Sequence, residues 1–140
     1  MKILKQLLFL AFTMFLLISV AAAADEKSGQ AATPGPTVVS QAKYPLTVGN
    51  GEYDLITTIL EFPAGAGVAN HTHGGHVLVT VLSGEMTLRE KGTEKTVKAG
   101  ESWTESPGNV HSVVNAGTTT ARVVGSFLLP KGAEVTIMVK

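Results

Sequence analysis

The chain has four histidines in 140 residues, and all of them fall in two short strings: His71, His73 and His76 in NHTHGGHV, and His111 in PGNVHSVVN. Neutral imidazole is the commonest protein ligand for transition metals. A protein with no use for histidine would scatter four of them. Here three lie within six residues and the fourth follows 35 residues after His76. This spacing predicts a metal site built from two strand segments that meet in space. The chain has no cysteine, which excludes thiolate ligands, a cysteine nucleophile and disulfides.

The elements that must position these residues read as strands. Residues i and i+2 of a strand point to the same face, so His71 and His73 can reach one metal. Continued in register, Val77, Val79 and Val81 share that inward face. His76 has the opposite parity and points away, unless Gly74-Gly75 hosts a bulge that re-aims it; it is the fourth candidate ligand. His111 follows a Pro-Gly turn at the start of VHSVVN, where a returning strand brings it opposite the pair. A lone His-x-His is a weak signal, and His111 alone reads equally as a turn residue bonded to backbone, so the prediction rests on the whole pattern.

The rest of the chain supports an all-β fold. After residue 44 the period is two: EYDLITTILEF, HVLVTVLSG, EMTLRE, KTVKAG, VHSVVN, ARVVGSFLL and EVTIMV are short runs rich in Val, Ile, Leu and Thr. Turn strings such as GNG, PAGAG, Lys91-Gly92, SPGN and PKG separate them, which predicts a β-sandwich or barrel. The segment 1–24 reads as a signal peptide: Lys2 and Lys5, an uncharged apolar run from Leu7 to Val20, and a small-residue cleavage pattern at Ala22-Ala23-Ala24. An uncleaved anchor is the alternative. Residues 25–43 read as a flexible tether, because Ala, Ser, Gly, Gln and TPGPT bury too little apolar area to offset ordering entropy. The barrel is then 44–140.

Charge adds exclusions. The whole chain carries 11 basic and 11 acidic residues; without Lys2 and Lys5 the net charge is −2 with histidines neutral. No basic stripe exists for nucleic acid. An exported, disulfide-free protein must be held by its core. The expected location is periplasmic or secreted, with no stable membrane anchor after cleavage.

Two motifs together resemble the cupin superfamily, in its small single-domain form. The pattern G-x5-H-x-H-x(3,4)-E-x6-G is matched by Gly65, His71, His73 and Gly84 in GAGVANHTHGGHVLVTVLSG. The pattern G-x5-P-x-G-x2-H-x3-N is matched by Gly100, Gly108, His111 and Asn115 in GESWTESPGNVHSVVN, with the proline displaced by one to Pro107. The resemblance covers nearly all of the mature domain and implies a cupin-type, jelly-roll-like β-barrel. It implies His71, His73 and His111 as ligands of a divalent transition metal (Fe, Mn, Ni or Zn). At the place of the usual glutamate ligand this chain has Val77, or Leu78 at the longer spacing. A subset of cupins is similar here, with H-x-H-G-G, no glutamate, and a later ESW-x-E-x-PG stretch.

Three neutral imidazoles without a carboxylate would leave a divalent ion its full double charge, which attracts anionic ligands or acidifies bound water. Three protein ligands also leave positions open for exogenous ligands. Among cupins, three-histidine iron sites support dioxygenation of thiols and diketones, so the resemblance implies a dioxygenase-like oxidoreductase on a small molecule. The competing class is a non-catalytic module that binds a small molecule or metal; sugar-derivative isomerisation is a third reading. Candidate acid-base groups are Glu101 and Glu105, which share parity with Trp103, and Glu61 with Tyr53 on an earlier strand. Solvent exposure is the default for each glutamate, and core packing is the default for Trp103. The resemblance also implies a homodimer, and AEVTIMVK reads as an edge strand or a dimer contact.

Overall fold

The computed structural model describes residues 33–140. The proposed signal peptide (1–24) and the first part of the tether (25–32) lie outside these residues. Ten strands follow in order: β1 (Thr37–Val48), β2 (Gly51–Phe62), β3 (Gly67–Thr72), β4 (His76–Ser83), β5 (Glu85–Glu90), β6 (Thr93–Lys98), β7 (Ser102–Glu105), β8 (His111–Val114), β9 (Ala121–Pro130) and β10 (Ile137–Met138). They form two five-stranded sheets with orders β1-β2-β9-β4-β7 and β10-β3-β8-β5-β6. Every strand pair is antiparallel. This is the all-β, jelly-roll architecture that the period-two pattern and the motifs predict.

Alternation explains the layers. In β9 every second residue, from Ala121 through Val123, Gly125, Phe127 and Leu129, is buried. In β4 the buried set is Val77, Val79 and Val81, as the parity argument expected. These side chains meet Met86, Leu88 and Val113 of the facing sheet in one core. Each such aliphatic burial is worth about 1.5–3 kcal/mol, which lets a small domain without disulfides hold together. The Lys91-Gly92 pair makes the β5–β6 hairpin with both residues at positive φ (50° and 76°), the backbone of a type I′ turn.

The folded region begins earlier than residue 44. Thr37–Lys43, expected in the tether, pair with β2 from Glu61 to Ile56, and the Gly67 N–H donates to the Pro34 carbonyl. β1 is held by backbone bonds while its side chains stay almost wholly exposed. Apolar residues do alternate at Val38, Ala42, Tyr44, Leu46 and Val48, but Ser40 interrupts them and the TPGPT string leads into them, so composition hides the strand's first half. At the other end, only Ile137 and Met138 of AEVTIMVK pair, as an edge strand against Thr72 and His71 of β3.

Candidate metal centre

The chain changes sheets at Gly74-Gly75. β3 belongs to one sheet and β4 to the other, so these glycines are a crossing point and not a bulge that re-aims His76. The crossing needs them: a Cβ on Gly75 would run into the Leu128 carbonyl, and one on Gly74 would sit 2.8 Å from the Glu134 oxygen. His76 emerges exposed at the start of β4, opposite Leu128. It takes no part in the histidine cluster.

The other three candidates converge. His71 on β3 is the direct cross-strand partner of His111 on β8, and His73 follows two residues after His71 on the same face. All three are buried, and each offers a ligand atom within 4.8 Å of the others. The SPGN turn before His111 is pinned to this site, since the Gly108 N–H donates to the His73 carbonyl at 3.4 Å. Asn115, fully buried, ties the end of β8 to the opposite sheet by donating to the Phe62 and Thr119 carbonyls while its Oδ1 accepts from the Gly117 N–H.

Ring orientation is set by backbone. The Nδ1 atoms face the carbonyls of Ala69 (His71, 2.8 Å), Asn109 (His111, 3.0 Å) and Val135 (His73). A carbonyl only accepts, so each Nδ1 carries the proton, and the neutral ring presents a bare lone pair at Nε2. Such outer bonds are how proteins fix the tautomer of metal-ligating histidines. The Val135 contact comes from the C-terminal segment.

A carboxylate stands beside these lone pairs, contrary to the expectation of a site without one. Glu105, the last residue of β7, is buried; its Oε2 lies 2.9 Å from His73 Nε2 and its Oε1 3.1 Å from His111 Nε2. Trp103 Nε1–H donates to Oε1 at 2.7 Å. The approach to His111 is off the hydrogen-bond direction, so the buried His111 Nε2 has no hydrogen-bond partner. A cluster of acceptors around an orphaned buried nitrogen fits a cation, and the imidazole–carboxylate donor set suits a divalent transition metal.

The carboxylate and the imidazoles are also coupled electrostatically. Burial alone would push the Glu105 carboxyl up, but contacts with His111 and His73 and the Trp103 hydrogen bond outweigh it and hold it at about 2. Burial depresses His111, yet the Glu105 carboxylate more than compensates and its pKa is raised. His71, farther from the carboxylate's influence, is lowered by burial and then by the charges of His111 and His73, with the Ala69 carbonyl pulling the other way.

The remaining candidates separate cleanly. Glu101 shares Glu105's parity but is exposed, where its Oε2 accepts from the Lys98 N–H. Trp103 is core, with its indole N–H turned to Glu105. Tyr53 and Glu61 lie on the outward parity of β2, and Glu61 approaches Arg122 at 3.8 Å. Beside the histidines is a cavity of about 80 Å³ lined by Leu60, Val79, Phe127 and Thr136 among others. A larger groove of about 570 Å³ is open and lies on the outer face around Arg89 and Glu90; it does not reach the inward-facing imidazoles.

Two antiparallel sheets closed over a buried histidine triad define a jelly-roll barrel with a candidate metal centre. The chain belongs to the cupin family: the cupin domain profile matches residues 58–127, half of the sequence, including all three histidines and Glu105. Among solved structures it is similar to a conserved protein with a double-stranded β-helix domain from Klebsiella pneumoniae, at 23% identity and TM-score 0.54 over 77% of this chain and 92% of that one. A cupin 2 conserved barrel domain protein from Salinispora arenicola is similar at 17% identity and TM-score 0.51, over 65% and 75% of the two chains. A conserved protein of unknown function from Streptococcus pyogenes shares 17% identity, TM-score 0.51, over 66% and 77%. No curated protein matches the sequence significantly.

Proposed function

We propose that this chain is an exported cupin whose three-histidine divalent metal centre serves a dioxygenase-type oxidation of a small molecule. The observation that carries the metal centre is the convergence of three buried Nε2 lone pairs, each ring locked by a backbone carbonyl. His71, His73 and His111 would hold the metal, which supplies Lewis acidity and open coordination positions to an exogenous ligand. The protein's own contribution is the enclosure. Val79, Leu60 and Phe127 make an apolar wall that excludes bulk water and suits dioxygen or a small carbon ligand. Glu105 sets the charge, since one carboxylate beside three neutral rings brings a divalent ion to a net of +1.

The oxidative chemistry is supported by the resemblance to three-histidine cupins that act on thiols and diketones. The test is oxygen uptake by the ferrous protein offered a panel of small thiols, diketones and phenols. Uptake with at least one is expected. No uptake with any would replace this reading with a non-catalytic metal- or small-molecule-binding module. Export is supported by the 1–24 pattern and is tested by intact mass: the periplasmic or secreted protein is expected to start at Asp25. The homodimer expected from the family is tested by light scattering of the purified protein.

A further inference from the structure

Val77 stands where cupins usually carry their glutamate ligand, and its register partner across the β4–β7 pair is Glu105. Both side chains point inward, and directly opposed residues on one face have Cβ atoms about 4.5–5.5 Å apart. We propose that Glu105 is the fourth protein ligand of the metal, delivered from the neighbouring strand in place of the glutamate missing at Val77. The inference rests on the metal-centre reading above and deepens it.

Three observations carry it. First, Glu105 is buried and its two oxygens straddle the ligand nitrogens, at 2.9 Å from His73 Nε2 and 3.1 Å from His111 Nε2. Two donors each bonded at about 2.1 Å to one octahedral ion stand about 3 Å apart, against about 3.4 Å on a tetrahedral one. Second, with Nδ1 of His73 and His111 committed to the Val135 and Asn109 carbonyls, the atom each ring turns toward the carboxylate is Nε2, a bare lone pair in the neutral ring. For neutral rings this sets acceptor against acceptor in a buried place, which a metal cation between them relieves. Third, the carboxylate is pre-oriented by the Trp103 N–H at 2.7 Å, the kind of outer bond that ligating carboxylates carry. An ion pair between Glu105 and protonated histidines is the competing account, and it requires no metal contact.

The test is metal affinity, measured apart from any activity. Metal-free wild-type protein, Glu105→Gln and the exchange variant Val77→Glu/Glu105→Val are titrated with Zn²⁺ against a chelator and with Co²⁺ by visible absorption. Glu105→Gln is expected to raise the Zn²⁺ Kd more than about 100-fold, beyond the 10–100-fold typical of losing an outer partner, and to change the Co²⁺ spectrum. The exchange variant, with its carboxylate returned to the β4 position, is expected to recover most of that loss. A folded Glu105→Gln that binds Zn²⁺ within threefold of wild type with an unchanged Co²⁺ spectrum would overturn the assignment. Should Glu105→Gln not fold, infrared difference spectra of the wild-type protein with and without Zn²⁺ decide. A shifted buried carboxylate band supports the ligand, and no carboxylate shift overturns it. Loss of metal in His111→Ala with retention in Glu105→Gln sinks only this inference; a wild-type chain that binds neither ion sinks the metal centre itself.

Discussion

The two sheets contribute differently to the same site. The sheet containing β3 and β8 supplies His71 and His111, a direct cross-strand pair, and the crossing that leaves β3 supplies His73. The other sheet supplies an apolar wall from β4 and one carboxylate from β7. What differs is how each is specified. The histidines are fixed by strand parity plus backbone carbonyls, so a short motif encodes them. The carboxylate is fixed by register between two strands: Glu105 is the cross-strand partner of Val77, 28 residues earlier in the sequence. Cross-strand register therefore places residues distant in sequence side by side at the site.

Breaking the histidine side has the largest expected effect. His71→Ala, His73→Ala and His111→Ala are each expected to lose the metal, read as elemental content falling from near one equivalent to near zero. A variant that keeps full metal would remove that residue from the centre. Breaking the joint between the sheets comes next. Asn115→Ala removes two donated bonds and one accepted bond at a fully buried position. It is expected to cost about 3 kcal/mol in denaturant unfolding, the upper range for stranded buried polar groups. A cost near zero would mean the joint is held elsewhere.

Trp103→Phe sharpens the carboxylate side. It removes one hydrogen bond to Glu105 Oε1 and is expected to weaken metal binding about 10–100-fold while all three histidines stay in place. An unchanged Kd would show that Glu105 needs no help from the indole. The smallest effect belongs to residues with matching parity or neighbourhood but no access to the site. Glu101→Gln and His76→Ala are expected to leave the metal Kd within threefold, and a larger change in either would show that the exposed face communicates with the centre.

Much of this was legible in the sequence. Period-two runs located β2, β4, β5 and β9, and the spacing of His71, His73 and His111 located the buried histidine group. Two features were not legible, for physical reasons. β1 is exposed on both faces and stabilised by backbone pairing, and its apolar alternation is broken at Ser40 and preceded by TPGPT, so composition reads its first half as tether. Glu105 shares its parity with Glu101, and parity alone does not say which of the two is buried; depth along β7 does. The signal that could have found it is the combination of a valine at the expected glutamate position with a glutamate two residues after Trp103, just before the Pro-Gly turn. The Val135 carbonyl that locks His73 comes from the far end of the chain, 62 residues on, and no local pattern announces it.

The central claim is that three buried Nε2 lone pairs hold one divalent ion. Elemental analysis of protein purified from its own compartment, without added metal or chelator, tests it most directly. The account predicts close to one equivalent of a single divalent transition metal per chain, removed by a chelator and lost in His111→Ala. Protein that is folded, carries no metal as isolated and takes up none when Fe²⁺, Mn²⁺, Ni²⁺ or Zn²⁺ is supplied would contradict it.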